Sequence, residues 1–314
     1  MKHIKKLSSK LLLALGVIIL SAIVWQVIVS KRVINDAKRI HQGQSVEQVH
    51  ELFKSGKLKT FSAVLHQPFS KITINGVSAQ IFKGDEYAVY VSDYFRRYVK
   101  VTINEDELII DSLKSFDANP VIFIFTPKDP ELISCTHSEF FPAGSYGIFG
   151  LKGDNTLISC EGYLNINTDI PYININQKGG SLSFYVTGLD SMLRIEDVQI
   201  KAHIENSVFS LKDEISNHAN VDIQLQESII NFLTINNESA LGTLKLTGSY
   251  WKNNPHYIND GISNPSGINH SGQADSLIIR LTGNPERQEQ LFLRGLSGRF
   301  EDINVSDNIR IVRE

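Results

Sequence analysis

Cysteine is nearly absent: Cys135 and Cys160 are the only two in 314 residues. They make no CxxC pair and have no histidine cluster beside them, so the pattern does not point to zinc. No cysteine stands ahead of Cys135, which leaves nothing to carry a lipid at a processed N-terminus. An excess of basic charge is missing as well. With 31 Lys plus Arg against 34 Asp plus Glu, the net charge of -3 gives no general means of neutralising a phosphate backbone, and nucleic acid is not an expected partner. The G-x-S-x-G, H-E-x-x-H, P-loop and EF-hand signatures are absent. The nine histidines are dispersed, and no two stand four apart as a helical metal pair would. No catalytic residue, cofactor or metal site is therefore expected.

What is present begins with an apolar segment. Lys2, Lys5, Lys6 and Lys10 precede a run from Leu11 to Val29 in which Gln26 is the only strongly polar side chain. As a helix this run rises roughly 28 Å, close to the ~30 Å hydrocarbon core of a bilayer. A cleavable signal peptide shares the basic start, but has a shorter apolar core that ends in a small-residue cleavage site. Here Ser21 and Ala22 sit inside the run, so an uncleaved anchor is favoured over a cleaved signal. Lys31, Arg32, Lys38 and Arg39 follow the span and compete with the N-terminal lysines under the positive-inside rule. The usual signal-anchor topology places residues 1–10 in the cytoplasm, the anchor at 11–29, and the remainder outside the cytoplasm.

With 42% hydrophobic residues the chain has enough apolar side chains for a substantial core. Residues 30–60 read as a helical stalk or cap: Ser45 and Gln48 form a capping box, Val46, Val49, Leu52 and Phe53 an apolar stripe, and Gly56 a stop, giving a short amphipathic helix over about 46–55. From Phe61 the period changes to two, with Ile72 and Ile74, then Val77, Ala79 and Ile81, Tyr87, Val89 and Val91, and Val99, Val101 and Ile103, separated by turns such as Asn75-Gly76. Helices long enough for βαβ crossovers are missing, which disfavours a doubly wound nucleotide-binding fold. Val121 to Phe125 is apolar on both faces, as expected of a strand buried from both sides.

Strand starts then recur every nine to twelve residues. Asn165, Asn167, Asn174, Asn176, Asn206, Asn220 and Asn231 lie in or beside strands, without the long loops that Greek-key crossings need. The fold class expected is mainly β: a right-handed parallel β-helix or β-solenoid over 61–314, preceded by the transmembrane helix and the short amphipathic helix. Ser249 to Gly272 reads as a long loop, and the residues beyond about 250 as a C-terminal cap. Cys135 and Cys160 either form a disulfide closing a loop of about 25 residues, worth roughly 3 kcal/mol on the chain-entropy model, or are separately buried thiols.

The stretch IFKGDEYAVYVSDYFRRYVKVTINEDELIIDS, within Phe61 to Leu113, resembles the opening of the head GIN domain of auto-transporter adhesins. The likeness lies in G-D-x-x-x-V-x-V followed by an acidic turn and L-x-I, here Gly84, Asp85, Val89, Val91, Glu107, Leu108 and Ile110. VIFIFTPKDPELISCTHS is similar to the family's next strand and turn. The resemblance covers roughly 61 to 250 and implies a β-solenoid-like domain exposed from the bacterial envelope, with no functional residues to carry over. Many relatives look secreted or lipid-anchored, whereas this chain keeps an apolar N-terminal helix.

Candidates for chemistry are few. His137, beside Ser138 and Glu139, reads as a structural histidine, and Asp154, Asn155 and Asp169 do not form a calcium loop. Asp190, Glu196 and Asp197 bracket one strand and read as solvated turn acids, although polysaccharide-degrading β-helices use converging carboxylates. Tyr250, Trp251, His256 and Tyr257 form the most distinctive polar and aromatic cluster, suited to stacking on sugars or anchoring a protein. The expected function is a membrane-anchored, non-enzymatic envelope solenoid, adhesin-like, that binds a protein or glycan. The alternatives are a polysaccharide-active β-helix enzyme and a periplasmic sensor or regulatory partner of another membrane protein.

Overall fold

The computed structural model describes residues 45–113, 121–137, 144–189, 193–236, 238–250 and 267–314, with scattered positions between 20 and 40. Ser45 starts helix α1 (Val46–Lys54) by accepting a hydrogen bond from Gln48 N, while Glu47 and Lys54 place charges of the favourable sign in the first and last turns. The expected span at 11–29 lies outside the described residues except for Leu20, Ser21, Val24 and Ile28, which are helical and exposed. Among the described residues, no helix is long and apolar enough to cross a membrane.

The remainder is mainly β. The first strands are β1 (Phe61–Leu65), β2 (Lys71–Asn75), β3 (Ser78–Lys83), β4 (Ala88–Ser92), β5 (Val99–Asn104), β6 (Glu107–Ser112), β7 (Val121–Thr126), β8 (Leu132–His137) and β9 (Gly144–Phe149). Longer ones follow: β10 (Leu157–Thr168), β11 (Tyr172–Val186), β12 (Ile195–Glu205), β13 (Val208–Asp213), β14 (Ser216–Thr234), β15 (Ala240–Tyr250), β16 (Gly267–Gly283), β17 (Glu289–Val305) and β18 (Ile309–Arg313).

They assemble into two ladders that share one core. The first runs β5, β6, β2, β8, β10, β11, β12, β14, β15, β16, β17, parallel throughout except for the β5–β6 hairpin. The second runs β1, β4, β7, β3, β9, β10, β11, β13, β14, β16, β17, β18, antiparallel only at β1–β4 and β4–β7. Long strands serve both ladders because they bend midway. β12 and β13 together lie between β11 and β14, so those four pairings close into a ring.

Register makes the core. Leu108, Ile72, Ile133, Ile158, Ile175, Ala202, Ile223, Leu246 and Ile279 follow one another as ladder partners. Every one of them is buried. At ~4.8 Å per step these side chains stack in continuous contact, and each buried aliphatic contributes roughly 1.5–3 kcal/mol.

The bends are one- or two-residue corners in the left-handed region: Gly162, Gly179 and Gly180, Asn206, Glu227 and Gly295 all have positive φ. Polar side chains at neighbouring corners satisfy the turned backbone. Gln177 Nε2 donates to Gly162 O, Ser207 Oγ to Gly179 O and Ser228 Oγ to Ile204 O, while Ser207 N donates to Ser228 Oγ.

Outside the second ladder, Phe82, Phe123, Phe125 and Phe149 point away from the shared core and are covered by Val49 and Phe53 of α1. That cover explains why Val121 to Phe125 is apolar on both faces. At the other end the core stops at charge. Glu301 and Arg313 occupy ladder positions beside the buried Leu277 and Leu293, and meet in a two-point ion pair with Nη2–Oε2 at 2.5 Å. Inward-pointing charges of this kind keep an exposed edge from pairing further.

The expected loop from Ser249 to Gly272 is shorter than it reads: Ser249 and Tyr250 complete β15, and β16 has begun by Gly267. Past residue 250 the strands continue the same parallel ladders.

Gly179 and Gly180 offer a sharp test of the corners. A Cβ on Gly180 would lie 2.1 Å from Gly162 O, whereas one on Gly179 would meet nothing within 4 Å. Gly179→Ala should therefore cost about 1 kcal/mol, from backbone strain alone, and Gly180→Ala more than about 3 kcal/mol. Equal denaturation midpoints for the two variants would show that the corners do not pack layer against layer.

Candidate functional site

The register that stacks aliphatics inside also stacks polar groups outside the first ladder. One outer row runs Tyr172, Gln199, Asn220, and continues Thr243, Ser276, Phe300. Asn220 Oδ1 joins its two parts by accepting from Thr243 N at 2.9 Å. Tyr172 is 44% and Phe300 59% exposed, so two aromatic rings stand about five strand steps, roughly 24 Å, apart with amides and hydroxyls between them. Beside it run Asn174, Lys201, Asp222, Lys245, and Asn176, His203, Gln224, Thr247, Arg280. Lys245 Nζ sits 2.8 Å from Asp222, and Arg280 Nε 3.0 Å from Asp302.

The middle of this face is shaped by Gly242. A Cβ there would fall 2.5 Å from Asn220 Oδ1 and 2.6 Å from His218 Nε2, so the missing side chain leaves room for both. His218 Nδ1 is 2.7 Å from Asp197 Oδ1, which places one of the sequence candidates at the site as the partner of an imidazole.

The other candidates are scattered. Tyr250 is fully buried and its hydroxyl donates to Gln290 O at 3.3 Å, so it belongs to the core and is not open to a partner. The even positions Leu244, Leu246 and Tyr250 keep one inward phase along β15, which puts the ring inside. Trp251, His256, Tyr257, Ser138, Glu139 and Asp190 lie outside the described residues. His137 is buried, Glu196 is exposed, and Asn155 Nδ2 donates to Asp154 in an exposed turn.

Cys135 and Cys160 are direct ladder partners on β8 and β10, and the structure holds them as free, buried thiols. Burial lifts both, Cys160 to about 12, and the neighbouring sulfur adds to the rise at Cys135. Such thiols are poor nucleophiles. Burial also pushes Asp169 up to about 6, against the opposing effect of the hydrogen bond it accepts from Gly150 N.

A further cluster joins α1 to the turn after β3. His50 Nδ1 lies 3.5 Å from Asp85 Oδ1, and donor atoms of His50, Asp85 and Glu86 lie within 4.8 Å of one another. Lys54 Nζ is 2.7 Å from Asp85 Oδ2 and holds that carboxylate below its usual range, so a divalent cation would first have to displace the ammonium. The cluster acts as a charged clamp on the helix. Its members are about 35 residues apart in sequence, and no local pattern announces it.

No known family profile and no curated protein matches the chain. Among solved structures, a candidate adhesin of Parabacteroides merdae is 9% identical with a TM-score of 0.48, covering 81% of this chain and 95% of that one. A candidate lipid-binding protein of Parabacteroides distasonis is 10% identical with a TM-score of 0.44, over 81% and 96%. A second candidate adhesin of P. distasonis is 12% identical with a TM-score of 0.41, over 81% and 94%. At this level of likeness, function has to be argued from the chain's own residues.

Asp169 yields a pH prediction. Between about pH 4 and pH 6 the unfolded chain releases this proton while the folded chain keeps it, so stability falls as pH rises through that window and stays reduced above it. Asp169→Asn keeps an acceptor for Gly150 N and removes the penalty. The variant should match the parent near pH 4 and exceed it by about 1–2 kcal/mol near pH 7 in urea unfolding; equal stability near pH 7 would refute the shift.

Proposed function

We propose that this protein is a membrane-anchored, non-enzymatic β-solenoid of the bacterial cell envelope that binds a glycan or protein on the outer face of its first ladder. The observation that carries the reading is the row from Tyr172 to Phe300, in which exposed rings flank a flat field of amides and hydroxyls. Rings that can cover a sugar face, with hydrogen-bonding groups at regular spacing between them, favour a glycan as the partner. Parallel ladders joined by short corners support the β-helix reading.

The likeness of residues 61–113 to the head GIN domain agrees with an adhesin-like role outside the cytoplasm. Leu20, Val24 and Ile28, exposed and four residues apart, form an aliphatic helical stripe that suits an anchor. A polysaccharide-active enzyme would need two carboxylates converging on this face, and Asp197 is already engaged by His218.

The full chain, purified in detergent, is to be screened on a glycan array together with Tyr172→Ala and Phe300→Ala. Each exposed ring should be worth about 1–2 kcal/mol, a loss of roughly five- to thirtyfold in affinity for any sugar bound. Undiminished binding in both variants would remove the face from consideration. Cell fractionation with external protease separates the locations: access on intact cells favours adhesion, while protection in the inner membrane favours a periplasmic binding role.

A further inference from the structure

The end of the stack nearest the N-terminal helix carries an exposed patch of aromatic and basic side chains. Between β4 and β5 the chain crosses from the second ladder to the first through Asp93-Tyr94-Phe95-Arg96-Arg97-Tyr98, with a 3-10 turn at its end. Tyr94 is 62% exposed, edge-on to Phe95 at 5.1 Å, and the Arg97 guanidinium lies 4.5 Å over the Tyr98 ring. Leu113, 60% exposed, is tied to the crossing by donating its N–H to Tyr98 O at 2.8 Å.

Charge here is unbalanced. Arg280, Arg294, Arg299 and Arg313 each meet a carboxylate. Among the described residues neither Arg96 nor Arg97 has one at ion-pair distance.

The patch is tied to the helical residue Asp36. Asp93 N donates to Thr60 O at 2.9 Å, and Thr60 in turn gives its N–H and hydroxyl to the buried Asp36 carboxylate at 2.9 and 2.8 Å. Asp36 is helical, and the apolar run ends at Val29, seven positions before it. Seven residues wound as a helix would rise about 10 Å, comparable to the Debye length, and a bilayer holding the run would then bring its headgroups within electrostatic reach of Arg96 and Arg97.

We propose that Tyr94, Arg96, Arg97 and Leu113 form a membrane-contact surface for anionic lipid headgroups, seating this end of the domain on the bilayer that holds its anchor; the inference rests on the anchor reading above. Guanidinium groups grip phosphate oxygens at two points, tyrosine rings settle at the headgroup level, and an exposed leucine gains by entering the acyl boundary. The crossing brings all three chemistries together at the end of the domain where the helix attaches.

The test uses the full chain in lipid nanodiscs of phosphatidylcholine alone or with phosphatidylglycerol, read by amide hydrogen exchange over residues 93–98. Exchange should slow about tenfold in the anionic discs, recover in about 0.5 M salt, and lose its lipid dependence in Arg96→Gln/Arg97→Gln. Unchanged protection of β11 to β14 shows that the variant is folded, and Arg97→Gln alone replaces the pair if it is not. Entry into both discs with the same exchange at 93–98 overturns this inference and leaves the anchor standing. Failure to enter either disc sinks the anchor reading and this inference with it.

Discussion

Everything in this protein depends on parallel strands stacking without slippage. Because side chains alternate with period two, a shift of one residue in any layer would turn its whole aliphatic set outward. The column from Leu108 to Ile279 shows the constraint satisfied through nine successive strands. Corners keep the count by spending one or two residues in the left-handed region, which is why glycine recurs there and why Asn206 and Glu227 adopt positive φ where it does not. Gln177 sits in a core column above Cys160 and is tolerated because its amide donates to the corner carbonyl of Gly162.

The outer face of the first ladder is the other side of the same constraint. A backbone that repeats its inward positions also repeats its outward ones, so polar groups from residues far apart in sequence fall into straight rows. Tyr172 and Phe300 share a face because the layers between them hold their register apart from one shift at Asn220, which its hydrogen bond from Thr243 bridges. The site is a property of the stack, and no single segment contains it.

Much of the architecture was legible in the sequence, and the misreadings have physical causes. The apolar stripe of Val46, Val49 and Phe53 with its Ser45 cap announced α1, and the period-two runs announced the strands. Val121 to Phe125 read correctly as doubly covered, although the cover is a helix on one side. Tyr250 was misread because the Gly, Asn and Pro that follow it resemble a loop, while the strand phase set by Leu244 and Leu246 extends two residues further. The Tyr172 to Phe300 row and the His50–Asp85–Lys54 clamp could not be seen, because their members are joined by ladder register and tertiary packing that no local pattern encodes. Arg96 and Arg97 lie within the adhesin-like stretch, but that no carboxylate among the described residues pairs with them shows only in three dimensions.

Asp36 has a mechanical consequence. Its carboxylate takes three hydrogen bonds from Lys59 and Thr60, so the N-terminal helix is fastened directly to the start of β1. Tension applied to the N-terminal helix would pass through this fastening into the sheet, leaving α1 unloaded. Once it parts, the load passes to α1, whose packing through Val49 and Phe53 and clamp on Asp85 must yield before the residues between Asp36 and β1 can extend by several nanometres.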